Sequence, residues 1–266
     1  MGVSETTGNG RWVDLEGAAN ARDLGGLPLS GGGSTAHGVL LRADNLQGLT
    51  AGDVRRLVDE LGVRVVVDLR TGAEVELEGP GPLVRDGRVE VRRRSLYPEA
   101  GERTDIDVGV IFPWRTRVAG DDASEPATVR AYLGYLRDRP DSIVAALRDA
   151  AFTRGATLVH CAAGKDRTGV VAAFALAVAG VPRDAIVADY VATEERLAPL
   201  VARLLASPTY AGDLHGRTLD SHRPRAETME RVLELVDERH GGPVAWLAEH
   251  GFDAADVTAL RARLAG

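Results

Sequence analysis

The segment His160–Gly169, HCAAGKDRTG, constrains this chain more than any other, because it sets the only cysteine six positions before an arginine across a glycine-containing loop. Gly155–Val159 (GATLV), just before it, reads as a short buried strand, and Thr168–Ala179 (TGVVAAFALAVA) reads as a helix of small apolar residues. Cys161 is therefore expected where a strand ends and a helix begins. The unpaired N–H groups and the positive dipole end of a helix N-terminus favour an anion at that place. The same field favours a thiolate over a thiol, and a thiolate attacks without help from a base. Arg167, at the far end of the loop, offers a planar fork that grips two phosphate oxygens at once, which a lysine cannot do. Cys161 thus reads as a nucleophile, Arg167 as the group that binds substrate and stabilises the transition state, and Ala162, Ala163, Gly164 and Lys165 as a cradle for phosphate. The competing reading, a buried cysteine at an ordinary strand end, leaves His160, Gly164, Thr168 and Gly169 without a reason to stand together.

With those residues in view, the segment resembles the signature of the cysteine-dependent protein tyrosine phosphatases, and more narrowly the bacterial and fungal branch of atypical tyrosine phosphatases whose loop contains GKDRTG. The likeness extends along nearly the whole chain. Asn20–Gly26 (NARDLGG) resembles that branch's N-terminal signature, Val65–Arg70 (VVVDLR) its second strand with a trailing Asp-Leu-Arg, and Ile186–Tyr190 (IVADY) the helix after the loop. The resemblance implies hydrolysis of a phosphate ester through a phosphocysteine on Cys161, with no metal or other cofactor. The substrates it implies are phosphotyrosine, phosphoserine or phosphothreonine proteins, or phosphoinositides. It also brings Asn20, Arg22 and Asp23 near the loop, although alone they read as a turn before Gly25 and Gly26. Asp68 and Arg70 read first as a structural ion pair at a strand end.

The general acid has several candidates. The atypical branch suggests an aspartate in a Pro-Asp after the strand that precedes a lid, but here the stretch reads Tyr97, Pro98, Glu99, with glutamate in its place. Asp166 is the favoured alternative, since a carboxylate beside a bound phosphate dianion is penalised when ionised and so tends to hold a proton. Asp105 and Asp107 are further candidates, and the plain reading of Asp166 is a carboxylate turned outward to Lys165 or Arg70. Thr168 either hydrogen-bonds the sulfur and eases its departure or simply caps the following helix. His160 either steadies the loop and tunes the thiolate or is purely structural. Lys165 adds a compact positive charge at the rim that suits substrates with more than one phosphate. The run Arg92, Arg93, Arg94 either extends that patch or is a solvated strand edge. His215 and His222 fall in a polar connection and receive no role.

The rest of the chain predicts an α/β fold with a central, mostly parallel sheet flanked by helices, a lid insertion and a C-terminal helical cap. Thr50 and Asp53 form a capping-box pattern ahead of the stripe Val54, Leu57, Val58, Leu61, which Gly62 ends. Val63–Leu69 is β-branched and continuous, as suits a strand covered on both faces of a parallel sheet. Ser30–Ser34 (SGGGS) reads as a flexible turn between two short strands. Residues 98–126 break the regularity, with acidic residues around the apolar cluster Ile111, Phe112, Pro113, Trp114, and read as an active-site lid or as a disordered insertion. Two helical stripes follow, Val129, Tyr132, Leu133, Leu136 and then Ile143, Val144, Leu147, and beyond Pro182 the chain reads as wholly helical. Met229, Val232, Leu233, Val236 and then Val257, Leu260, Leu264 are expected to cap the sheet.

A chain of 266 residues with 44% hydrophobic content can bury a large core, and a single domain over 1–266 with an inserted lid and a loose tail over 1–10 is expected. One cysteine rules out an internal disulfide and suits a reducing compartment, and nothing resembles a signal segment or the roughly 18 apolar residues of a membrane span. The expected location is the cytoplasm, without stable membrane insertion. A formal net charge of -7 argues against general nucleic-acid binding. Partners reduce to a phosphorylated protein, a phosphoinositide or a small phosphorylated metabolite. Two alternatives to a signalling phosphatase stay open: a biosynthetic phosphatase acting on a nucleoside or sugar phosphate, and a module that binds phosphorylated ligands without turnover.

Overall fold

The structure, a computed structural model, describes residues 10–99 and 124–265. Its sheet has the order β1-β2-β5-β3-β4, built from β1 (Arg22–Asp23), β2 (Leu40–Ala43), β3 (Val63–Asp68), β4 (Glu90–Arg93) and β5 (Ala156–His160). Only the β1–β2 pairing is antiparallel, so the sheet is mostly parallel, as expected. β5 lies at its centre between β2 and β3, with Ala43 and Asp68 both in register with His160. The carboxyl ends of the three central strands therefore meet beside Cys161, where ligands gather in open parallel sheets.

Helices cover both faces. On one side lies α1 (Ala51–Arg55), which runs into a π-wound turn over Arg56–Glu60, where the Leu61 amide reaches the Arg56 carbonyl at 2.9 Å. The capping box of Thr50 and Asp53 is present, and Val54, Leu57 and Val58 pack with Leu41, Val66 and Leu158. Short helices α2 (Gly72–Glu78) and α3 (Pro82–Asp86) precede β4. On the other side α4 (Ala127–Asp138), α5 (Pro140–Phe152) and α6 (Asp166–Ala179) share the larger core with Leu40, Val65, Val67 and Val159. Nearly every residue of α6 is buried, since it has other helices behind it as well as the sheet in front.

Beyond Pro182 the chain holds α7 (Arg183–Val191), α8 (Leu197–Ala206), α9 (Ala211–Leu214), α10 (Ala226–His240), α11 (Pro243–Glu249) and α12 (Ala254–Ala265), with 3-10 turns over Ala192–Arg196 and Leu219–His222. The helical cap is there, but α11 and α12 rest on α5 and α6 rather than on the strands. The sheet face is already covered by α5 and α6, whose outer sides supply the apolar seat. Two boundaries differ from expectation. Gly155, with φ of +112°, turns the chain before β5 rather than opening the strand, and α6 begins at Asp166, so Asp166 and Arg167 form its first turn. Ser30–Ser34 makes a tight turn, but it closes an isolated bridge between Pro28 and Ser34 rather than joining two full strands. The expected lid cluster Ile111–Trp114, Asp105 and Asp107, and all but the last residue of the expected tail, lie outside the described residues. No helix among the described residues is long and apolar enough to cross a membrane.

Candidate active site

The loop from Cys161 to Lys165 is shaped by donors that grip its carbonyls from outside. The Asn45 amide donates to Ala162 O at 2.9 Å, Asn20 Nδ2 to Ala163 O at 3.0 Å, and Arg42 Nη2 to Gly164 O at 2.6 Å. Among the described residues, the amides of Ala162, Ala163, Gly164 and Lys165 have no hydrogen-bond acceptor. Carbonyls held outward and amides left without acceptors at a helix start make an anion cradle. Gly164 is required for it, because its φ is +63° and a Cβ there would stand 2.3 Å from Ala43 O.

Behind the loop lies a buried charge cluster. Asp189 on α7 accepts from Arg11 at 2.8 Å, Arg22 at 3.1 Å and Arg42 at 2.6 Å. Burial alone would raise the Asp189 carboxyl, but the guanidinium groups of Arg22, Arg42 and Arg11 outweigh it and hold the carboxyl well below the usual carboxylate range. Asn20 and Arg22 thus reach the catalytic loop as the resemblance implied, Asn20 directly and Arg22 through Asp189. Asp23 instead pins the turn at Gly25 and Gly38.

Cys161 is 2% exposed and lines a cavity of about 450 Å³. Arg167 borders the same cavity, and its Nη1 and Nη2 lie 2.7 and 3.0 Å from the two carboxylate oxygens of Glu74. Burial works against the Arg167 charge, yet Glu74 and the neighbouring Cys161 hold its affinity for a proton above the ordinary value. Glu74 is placed by a capping box in which Thr71 Oγ1 accepts from the Glu74 amide and the Glu74 carboxylate accepts from the Thr71 amide. The Tyr97 ring stacks under Arg167, with Cζ 5.3 Å from its centroid, and burial pushes the Tyr97 hydroxyl up to about 12.

Asp166 borders the cavity, and its Oδ1 accepts from Tyr132 at 2.5 Å and lies 3.5 Å from Lys165 Nζ. Lys165 also donates to His222 O at 2.9 Å, which draws the Leu219–His222 turn to the rim. Thr168 Oγ1 is buried and has no hydrogen-bond partner among the described residues. His160 is buried, with Nδ1 3.2 Å from the Cys161 carbonyl, and burial drives it down to about 4, so the ring is neutral at neutral pH. Asp68 lies 3.6 Å from His160 and makes a two-point ion pair with Arg70, so the structural reading of Asp68 and Arg70 holds.

Glu99 is placed otherwise than expected of an acid or a substrate ligand. Its carboxylate accepts from the Gly72 amide at the start of α2 and lies 3.5 Å from Arg93, and Glu99 does not border the cavity. The basic run is a neutralised strand edge rather than a substrate patch, since Arg92 and Arg94 both pair with Asp149 and Arg93 pairs with Glu99. The sequence reading passed over Glu74, Tyr97, Tyr132, Asp189 and the turn at His222. Of these only Glu74 carried a local signal, the Thr71-x-x-Glu74 capping box. The same cavity has an apolar wall from α8, formed by Leu197, Leu200, Val201 and Leu204.

The sequence model of the tyrosine phosphatase family matches residues 13–266. A tyrosine-protein phosphatase of Nostoc commune is 32% identical over 84% of this chain and 73% of its own length. A putative tyrosine-protein phosphatase of Cupriavidus necator is 33% identical over 92% of this chain and 84% of its own. The triple specificity protein phosphatase PtpB of Mycobacterium tuberculosis is 27% identical over 95% of this chain and 99% of its own. The chain belongs to the tyrosine phosphatase family.

Proposed function

We propose that this phosphatase works without a metal through a phosphocysteine on Cys161, and that it acts on phosphotyrosine, phosphoserine or phosphothreonine proteins or on phosphoinositides. The observation that carries the proposal is the shared cavity of about 450 Å³, which brings Cys161 together with an arginine already aligned by Glu74 and with loop amides that lack acceptors among the described residues. In the first step Cys161 Sγ bonds to phosphorus as the ester P–O bond breaks, and Asp166 gives its proton to the departing oxygen. In the second, Asp166 takes a proton from water as the water oxygen attacks phosphorus. The S–P bond then breaks, and phosphate and the thiolate are released. Arg167 and the loop amides meet the charge on the equatorial oxygens throughout.

The α8 wall favours a leaving group with an apolar face, such as the ring of phosphotyrosine. The triple specificity in the name of the Mycobacterium tuberculosis relative supports a range of phosphorylated side chains.

The test is phosphate release in the presence of a chelator across phosphotyrosine, phosphoserine and phosphothreonine peptides, phosphoinositides, and a panel of sugar and nucleotide phosphates. Undiminished turnover of the peptides or phosphoinositides is the expected result. A requirement for added metal, or turnover confined to one small metabolite, overturns the proposal.

A further inference from the structure

The Asp166 carboxylate does not stand alone. Tyr132 from α4 and Tyr190 from α7 meet it at the start of α6, with the Tyr132 hydroxyl 2.5 Å from Asp166 Oδ1 and 2.8 Å from the Tyr190 hydroxyl. The polarity of this chain is fixed by its end. Oδ1 accepts whether the group is a carboxylate or an acid protonated on Oδ2, so Tyr132 donates to Asp166, and its single proton being committed, Tyr190 donates to Tyr132. Burial pushes both hydroxyls well above their ordinary value, so both remain donors across the working pH range. Tyr132 and Tyr190 are 1% and 2% exposed, whereas the Asp166 side chain is 34% exposed at the cavity. Gly169, one turn along α6, makes room for this arrangement, because a Cβ there would stand 3.0 Å from the Tyr190 ring. The glycine after Arg-Thr in the loop segment thereby acquires a reason of its own.

Among the described residues only one carboxylate oxygen is committed. Tyr132 and Lys165 both face Oδ1, and among the described residues Oδ2 has no hydrogen bond. We infer that Tyr132, backed by Tyr190, is a positioning residue for the general acid: it holds Oδ1 and leaves the transferable proton on Oδ2, the oxygen presented to the leaving group. This rests on the reading of Asp166 as that acid. A tyrosine that merely filled the core would affect folding and nothing else.

The experiment compares wild type, Tyr132→Phe, Tyr190→Phe, Asp166→Asn and the double variant Asp166→Asn/Tyr132→Phe on two aryl phosphates. Phenyl phosphate has a poor leaving group that needs protonation, and 2,4-dinitrophenyl phosphate has one that does not. Tyr132→Phe is expected to lower kcat/KM for phenyl phosphate roughly tenfold and to leave kcat/KM for the dinitrophenyl ester within about twofold, since kcat/KM reports the first step alone and only the poor leaving group needs the proton there. Tyr190→Phe, which leaves the direct contact intact, should change both in the same direction by less. In the Asp166→Asn background, Tyr132→Phe should add nothing. Equal loss on both esters, or a further loss in the double variant, overturns the inference while leaving Asp166 as the acid. If Asp166→Asn itself spares phenyl phosphate, the acid assignment fails and the inference falls with it. Phe keeps the ring that stacks on Tyr135, and an unchanged inhibition constant for inorganic phosphate serves as the check that the loop is intact.

Discussion

Glu74 and Arg167 are joined at two points, Oε2 to Nη1 at 2.7 Å and Oε1 to Nη2 at 3.0 Å, with side chains 0% and 6% exposed. The pair fixes the plane of the guanidinium before any substrate arrives, so the arginine need not be ordered by the phosphate it binds. Glu74→Gln keeps the shape and removes the charge. It is expected to lower kcat/KM roughly 10²-fold and to weaken inhibition by inorganic phosphate, both read in steady-state assays, with the far-ultraviolet circular dichroism unchanged. Unaltered phosphate inhibition would show that Arg167 aligns itself.

Asp189 gathers Arg11, Arg22 and Arg42, and the same Arg42 holds the Gly164 carbonyl. Removing the carboxylate charge strands buried guanidinium groups, which costs about 3–5 kcal/mol when a buried pair is broken. Asp189→Asn should therefore lower the unfolding free energy from urea titration by an amount in that range and reduce turnover as well, since the loop loses its support. A variant with wild-type stability would mean that the cluster is solvated or neutralised in another way.

Thr168 Oγ1 is buried without a partner among the described residues, an arrangement that ordinarily costs stability. It makes sense if the hydroxyl donates to the sulfur as the phosphocysteine breaks down. Thr168→Val is then expected to leave the melting temperature equal or slightly raised while slowing the second step. The signature is a pre-steady-state burst of phenol followed by a slower steady rate. A fall in stability without a burst would assign Thr168 to packing alone.

His160 is driven to about 4 by burial, below its unfolded value of roughly 6.5. In that interval the unfolded chain binds the proton and the folded protein does not, so stability rises with pH. The contribution is complete above the unfolded value and is lost as pH falls toward 4, amounting to about 2 kcal/mol at pH 5. Asp68 is held well below the usual carboxylate range, with burial opposing this and His160 and Arg70 favouring it, so it stays ionised in the same window. Because His160 is neutral above the window, Arg70 carries that effect at neutral pH. The urea midpoint of wild type should drop between pH 7.5 and 5, and that of His160→Asn should drop by less. Parallel curves would place the acid sensitivity elsewhere.

Much of the site was legible because its signals are local. Cys161, Gly164 and Arg167 are fixed by one loop between a strand and a helix, and the strand patterns around Val65 and Leu158 announced a parallel sheet. Partners supplied from a distance were not legible. Glu74 is 93 residues from Arg167 and Tyr132 is 34 from Asp166, and neither pairing leaves a periodic trace. Asp189 was read as part of a helix resemblance, but its role as the centre of an arginine cluster depends on β1, β2 and α7 meeting behind the loop. Glu99 misled for the opposite reason. Its position after Tyr97-Pro98 suggested an acid on a separate loop, whereas the exposed first amide of α2 and Arg93 claim the carboxylate.

The most direct test of the account is to trap the covalent intermediate. Enzyme mixed with ³²P-labelled phosphotyrosine peptide and chelator is quenched in acid within milliseconds, and the protein-bound label is mapped. Label is expected on Cys161 as iodine-sensitive S-phosphocysteine, and Cys161→Ser is expected to show neither label nor turnover while still binding the peptide. Continued turnover in Cys161→Ser, or rapid wild-type turnover with no labelled cysteine under conditions where the second step limits the rate, would contradict it.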